Sequence, residues 1–74
     1  MQVTIRLFAS FRVGRFVEEV REVPPGASVA DVVRALEIPA EAIGMIMLDR
    51  RHAPLEQRLH DGARLALFPL LGGG

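Results

Sequence analysis

Val3, Ile5 and Leu7 alternate with Gln2, Thr4, Arg6 and Phe8. A period of two with β-branched members predicts a strand over about residues 2–8. Ala9 to Gly14 breaks the alternation, and Gly14 is a turn signal. Arg15 to Val23 reads as a second strand with imperfect alternation, its apolar members being Phe16, Val17, Val20 and Val23. The short connection predicts an antiparallel hairpin. Pro24-Pro25-Gly26 stops that strand, because proline lacks the backbone donor a ladder needs.

The period then changes. Val29, Val32, Val33 and Leu36 fall at i, i+3, i+4 and i+7, one apolar stripe of a helix over about residues 29–37. Ser28 is placed to cap it, and Asp31 three residues on resembles the second half of a capping box. Pro39 ends it. Met45 to Leu48 is a short apolar run whose length favours a strand. Asp49-Arg50-Arg51 reads as a polar turn, and residues 51–55 as a weak pairing held to an edge by Pro54. Asp61-Gly62 is a turn signal. Arg64 to Leu70 reads as a last strand, apolar on both faces and therefore central, ended by Pro69. The order strand, strand, helix, strand, strand, with one helical stripe to bury, predicts a two-layer α+β domain.

Composition changes the picture mainly by exclusion. Seventy-four residues make one domain. Area scaling leaves about 60% of the unfolded chain's surface buried, enough for one small core and little room for a deep catalytic cavity. The chain has no Cys, which removes disulfides, thiol nucleophiles and cysteine-based zinc sites. Nine basic residues balance nine acidic ones, against the basic excess of a nucleic-acid binder. No apolar run is long enough to span a membrane, and no secretory signal pattern is present. A cytoplasmic chain, monomeric when free, is expected.

Candidate catalytic groups are sparse. Ser28 is accounted for by capping. His52 and His60 lie in turn-like polar segments and read as surface residues, so no metal site is expected. Glu18, Glu19 and Glu22 read as a solvated strand face, and Arg50-Arg51 as a solvated turn or a small anion contact. Gly72 to Gly74 precede no helix and no Lys, so they are no phosphate loop. The informative feature is that glycine end. Without Cβ atoms it can thread a narrow channel. From Leu70 to Gly74 it would reach roughly 17 Å, carrying a carboxylate into a partner's active site.

Three segments and their order carry a resemblance. Leu7-Phe8-Ala9-Ser10-Phe11-Arg12, then Gly26-Ala27-Ser28-Val29-Ala30-Asp31-Val32-Val33, then Leu59 to Pro69, followed by Gly-Gly, resemble the MoaD/ThiS ubiquitin-like sulfur carriers across essentially the whole chain. The opening segment looks more like the small subunit of molybdopterin synthase than the thiamine-pathway carrier. The resemblance implies a β-grasp fold of four to five mixed strands and one helix over residues 1–71, with 72–74 a flexible tail. The turn at 49–51 departs from the Asn-Gly that many members carry, an expectation against a tight two-residue hairpin there.

The resemblance also implies a chemistry. Gly74 would be the residue adenylated and converted to a thiocarboxylate, with Gly72 and Gly73 threading the tail. The chain would bind no cofactor, since ATP and magnesium belong to a ubiquitin-activating-type adenylyltransferase. It would act as a carrier rather than an enzyme, and its second partner would be a sulfur-accepting synthase subunit. Molybdopterin synthesis is the pathway implied, with thiamine or amino-acid sulfur transfer, or protein modification, as alternatives. Phe8, Phe68, Leu70 and Leu71 are the expected docking residues, on the sheet face away from the helix. All nine basic residues are Arg. An activated acyl group would then meet no lysine amine on its own chain, although an Arg-favouring composition accounts for this more simply.

Overall fold

The structure is a computed structural model, and it describes residues 1–71. The expected tail, 72–74, lies outside the described residues. Five strands form one sheet: β1 (Gln2–Leu7), β2 (Glu18–Glu22), β3 (Ile43–Leu48), β4 (Arg51–His52) and β5 (Ala63–Pro69), in the order β2-β1-β5-β3-β4. β1 pairs antiparallel with β2 and parallel with β5, while β3 pairs antiparallel with both β5 and β4. The sheet is therefore mixed, with β5 at its centre. One helix, α1 (Val29–Ala35), covers one face. This is the β-grasp architecture that the resemblance implies.

The core arises from the two periods. Val3, Ile5 and Leu7 on β1 and Leu65 and Leu67 on β5 are at most 1% exposed. They pack with Val29, Val32, Val33 and Leu36 of the helical stripe. Between the two central strands the register sets Ile5 opposite Leu65 and Leu7 opposite Leu67, so the same face of both is apolar.

The helix is short, at seven residues, so its ends matter more than its propensity. The Ser28 hydroxyl accepts from the Asp31 N–H, and the Asp31 carboxylate accepts from the Ser28 N–H at 2.9 Å, closing the capping box. The N–H groups of Val29 and Ala30, which have no partner within a helix, donate to the carbonyls of Gln57 and Leu55 at 2.9 and 2.8 Å. At the other end the helix stops at Ala35, two residues short of the expected bound at 37. Glu37 takes φ +57°, and the Arg15 guanidinium donates to the carbonyls of Leu36 and Phe11.

Other boundaries also shift. β2 begins at Glu18 instead of Arg15, because Arg15 turns away to the helix C-terminus. The break after β1 is a 3₁₀ turn, Ala9–Arg12, that buries Phe11. A second 3₁₀ turn, Ala40–Ala42, leads into β3, which starts at Ile43 rather than Met45. The weak pairing at 51–55 contracts to the two residues of β4.

The expectation against a tight hairpin at 49–51 is overturned. Leu48 pairs with Arg51, leaving Asp49 and Arg50 as a two-residue loop with φ +50° and +69°. Positive φ at both positions is the signature of a type I′ turn, usually filled by Asn-Gly. Asp49 offsets the strain through β5: its N–H donates to the Arg64 carbonyl and its Oδ1 accepts the Arg64 N–H, each at 2.9 Å.

Two substitutions test the packing and the cap by denaturant unfolding. Leu65→Ala should cost about 3 kcal/mol by leaving a cavity between sheet and helix. Ser28→Ala should cost about 1 kcal/mol through the lost cap.

Candidate functional site

β5 delivers the chain's end. Because β1 and β5 are parallel, the C-terminal end of β5 lies beside the end of β1, where Phe8 comes directly after the last strand residue. Phe8 and Phe68 point away from the helix and stack, with ring centroids 4.1 Å apart and planes 15° from parallel. The Phe8 N–H donates to the Leu67 carbonyl at 3.2 Å, which holds the two rings in step. Both rings are half-buried. The guanidinium carbons of Arg6 and Arg12 each lie 5.3 Å from the Phe8 centroid, within cation–π range. Arg12 is fixed there by its Nε–H, which donates to the Leu7 carbonyl at 2.7 Å.

The open sheet face continues from this stack. Cross-strand pairs place Met45 opposite Phe68, Met47 opposite Ala66, and Thr4 opposite Arg64. A shallow depression of about 350 Å³ runs here, with Arg6, Glu18, Arg50 and Arg64 among its polar lining and Phe8 and Met47 among its apolar lining. It is open to solvent, with the three guanidinium groups and the Glu18 carboxylate around its apolar floor. Leu70 and Leu71, at 60% and 83% exposed, extend past β5. The Leu70 N–H donates to the Ala42 carbonyl at 2.9 Å.

The sequence-predicted residues thus divide into three sets. Phe8 and Phe68 are brought together as one aromatic step. Leu70 and Leu71 lie at the root of the chain's end. Gly72, Gly73 and Gly74 lie outside the described residues. Arg12 and Gly44 were not singled out from sequence. An isolated Gly inside the apolar run 43–48 was the available signal for a bulge.

The histidines are surface residues, but His60 has a defined partner. Its Nε2 lies 2.5 Å from Asp49 Oδ2, and its Nδ1 lies 2.9 Å from the Asp61 carbonyl. The Asp49 carboxylate holds the imidazole above its ordinary pKa. The same hydrogen bond, with that from Arg64 N–H, holds the Asp49 carboxyl below the usual range. Among the described residues no group of three or more His, Asp or Glu could hold a metal ion, and no helix is long and apolar enough to cross a membrane.

The family model described as the ThiS family matches residues 5–74. The chain belongs to the ThiS family. Solved structures share its fold. A Pyrococcus furiosus protein assigned provisionally as molybdopterin converting factor, subunit 1, is 25% identical, with TM-score 0.78, covering 96% of this chain and 99% of that one. The small archaeal modifier protein 1 of Haloferax volcanii is 23% identical, with TM-score 0.76, covering 95% and 98%. A chain from a Helicobacter pylori complex of subunits 1 and 2 of molybdopterin-converting factor is 18% identical, with TM-score 0.68, covering all of both chains. No curated protein matches the sequence. Family and fold together make this a MoaD/ThiS-type ubiquitin-like protein, the class of small sulfur carriers.

The His60–Asp49 clasp makes stability depend on pH in a defined direction. A raised imidazole pKa adds stability below the ordinary value of 6.5, lost as pH rises through the folded-state value. The lowered Asp49 pKa adds stability above 3.8, lost as pH falls. The melting-temperature difference between wild type and His60→Gln should therefore be greatest between these limits and close at alkaline pH, as thermal unfolding across a pH series would record.

Proposed function

We propose that this protein is a sulfur carrier whose C-terminal glycine, Gly74, is adenylated, converted to a thiocarboxylate and used as a sulfur donor in cofactor biosynthesis, molybdopterin being the product. The observation that carries this reading is the family match through residue 74, joined to a fold in which the central strand leads straight into an exposed Leu-Leu and then Gly-Gly-Gly. The Pyrococcus furiosus relative, named for a molybdopterin converting factor, supports the pathway.

The chemistry explains why so small a chain suffices. A terminal carboxylate, with a pKa of roughly 3.5, is ionised and a poor electrophile. Attack of its oxygen on the α-phosphorus of ATP, with pyrophosphate leaving, creates an acyl adenylate. A sulfide-level nucleophile then attacks the acyl carbon and AMP leaves, so one carboxylate oxygen is replaced by sulfur. Magnesium, ATP and the donors that stabilise these charges belong to the activating partner. The carrier supplies the acyl group, a narrow tail and a docking face. For that face the Phe8–Phe68 stack is the apolar centre, with Arg6 and Arg12 at its edge. Subunit 2 of a converting factor would be the sulfur acceptor, in line with the Helicobacter pylori complex of subunits 1 and 2.

Protein modification uses the same activated terminus, and the Haloferax volcanii modifier shares this fold. The two readings separate in one experiment. Incubation with the cognate activating enzyme, ATP and a sulfide source should yield a species, by intact mass spectrometry, in which one oxygen has been exchanged for sulfur at Gly74. An unchanged mass with an enzyme proven active would refute the proposal. Lysine-linked conjugates in its place would identify a modifier. A chain with one residue appended after Gly74 should fold normally and remain unmodified.

A further inference from the structure

Gly44 sits where β3 meets the end of β5. The register slips there: Ile43 pairs with Pro69 and Met45 with Phe68, so Gly44 is the extra residue of a bulge. A bulge bends its strand and changes the direction of the neighbouring chain. Gly44 is not among the glycines with positive φ, so its backbone would suit any residue. What it provides is space. A Cβ at this position would lie 2.8 Å from the Pro69 carbonyl oxygen, 3.0 Å from Leu70 Cα and 3.1 Å from Leu70 N. Every one of these atoms is backbone, which cannot swing aside as a flexible side chain would.

The close approach has a second consequence. With Pro69 drawn over Gly44, the Leu70 N–H reaches the Ala42 carbonyl at 2.9 Å, just before the bulge. The chain therefore leaves the sheet pinned at two consecutive residues, by contact at Gly44 and by a hydrogen bond at Ala42. Leu70 and Leu71, exposed beyond this point, take their direction from it.

We propose that Gly44 is a positioning residue for the reactive terminus: its missing side chain lets the β5 end seat against β3, which sets where the chain leaves the sheet at Leu70 on its way to the activating enzyme. This rests on the sulfur-carrier reading and adds to it a residue thirty positions from the reacting carbon. Docking through the Phe8–Phe68 stack and presentation of the tail become separable. A chain altered at Gly44 still docks but leaves the sheet along a different line at Leu70. Displacements of this kind, on the order of 1 Å, can cost up to roughly a hundredfold in rate.

The test measures thiocarboxylate formation by mass spectrometry against carrier concentration. Gly44→Ala should lower kcat by on the order of tenfold while KM stays near the wild-type value. Amide exchange should show the Leu70 N–H losing protection while β1 and the centre of β5 keep theirs. Val33→Ala serves as the control, since it opens a cavity under the helix without touching the tail. If Val33→Ala slows the reaction as much as Gly44→Ala, general destabilisation is the cause and the positioning role is wrong. A second pair of variants decides the matter should Gly44→Ala fail to fold. Leu70→Pro removes the N–H donor and Leu70→Ala keeps it, with the side chain lost in both. The former should be slower than the latter, and equal rates would overturn the proposal. Wild type that acquires no sulfur refutes the carrier function itself. Wild type that does, alongside an equally fast Gly44→Ala, refutes only the inference about Gly44.

Discussion

The parallel pairing of β1 with β5 is the constraint on which the molecule depends. It joins residues 3–7 to residues 63–67, almost the full length of the chain apart. The two strands bring the most completely buried side chains into one row. Parallel neighbours cannot be joined by a tight turn, so everything between them has to travel around. β2 takes the free edge of β1, α1 crosses beneath, and β3 returns along the other side of β5. Phe8 meets Phe68 because both lie at the ends of buried stretches of these paired strands, so the aromatic step is a by-product of the core's register. Its position on the open face is as firm as the pairing that produces it.

A helix of seven residues has little stability of its own. Here its first turn is completed from outside, by the carbonyls of Leu55 and Gln57 and by the Ser28–Asp31 box. The isolated bridge between Ser28 and Arg58, and the Leu59 N–H donating to the Ala27 carbonyl at 2.8 Å, extend this strap. Residues 55–59 therefore do for the helix what an adjoining strand does for an edge. They hold it over the sheet, where its apolar stripe joins the core formed by β1 and β5. Arg15 closes the opposite end, which explains why the second strand cannot start as early as its apolar residues suggest.

The parts of the fold legible in the sequence are those governed by local physical rules. Alternation at 2–7 and 64–69, the 29–36 stripe and the Ser28 cap are written in neighbouring side chains, and the structure repeats them. The 3₁₀ turns at 9–12 and 40–42 were not legible, because Phe11 is buried by tertiary contact with no periodic partner. The tight loop at Asp49-Arg50 escapes a local reading for the same reason: its strain is compensated by Arg64 and His60, distant in sequence. Gly44 shows the limit most clearly. A glycine at an unstrained φ leaves no local trace, and its role appears only when the backbone of residues 69–70 is laid across it. The candidate site was legible as a set of residue types, Phe8 and Phe68 among them, but not as a geometry.

The long-range pairing at the centre also governs the order of events in the life of the chain. β5 follows the other four strands of the sheet in the chain, yet it fills the middle, so those strands have no complete partner until it emerges. Folding that waits on contacts of such sequence separation is slow relative to local structure. The sheet is thus completed only once residues 63–69 exist. A chain interrupted before Ala63 lacks its central strand and the ordered face built on it. Formation of the open sheet face, with the Phe8–Phe68 step on it, is thereby tied to completion of the sheet.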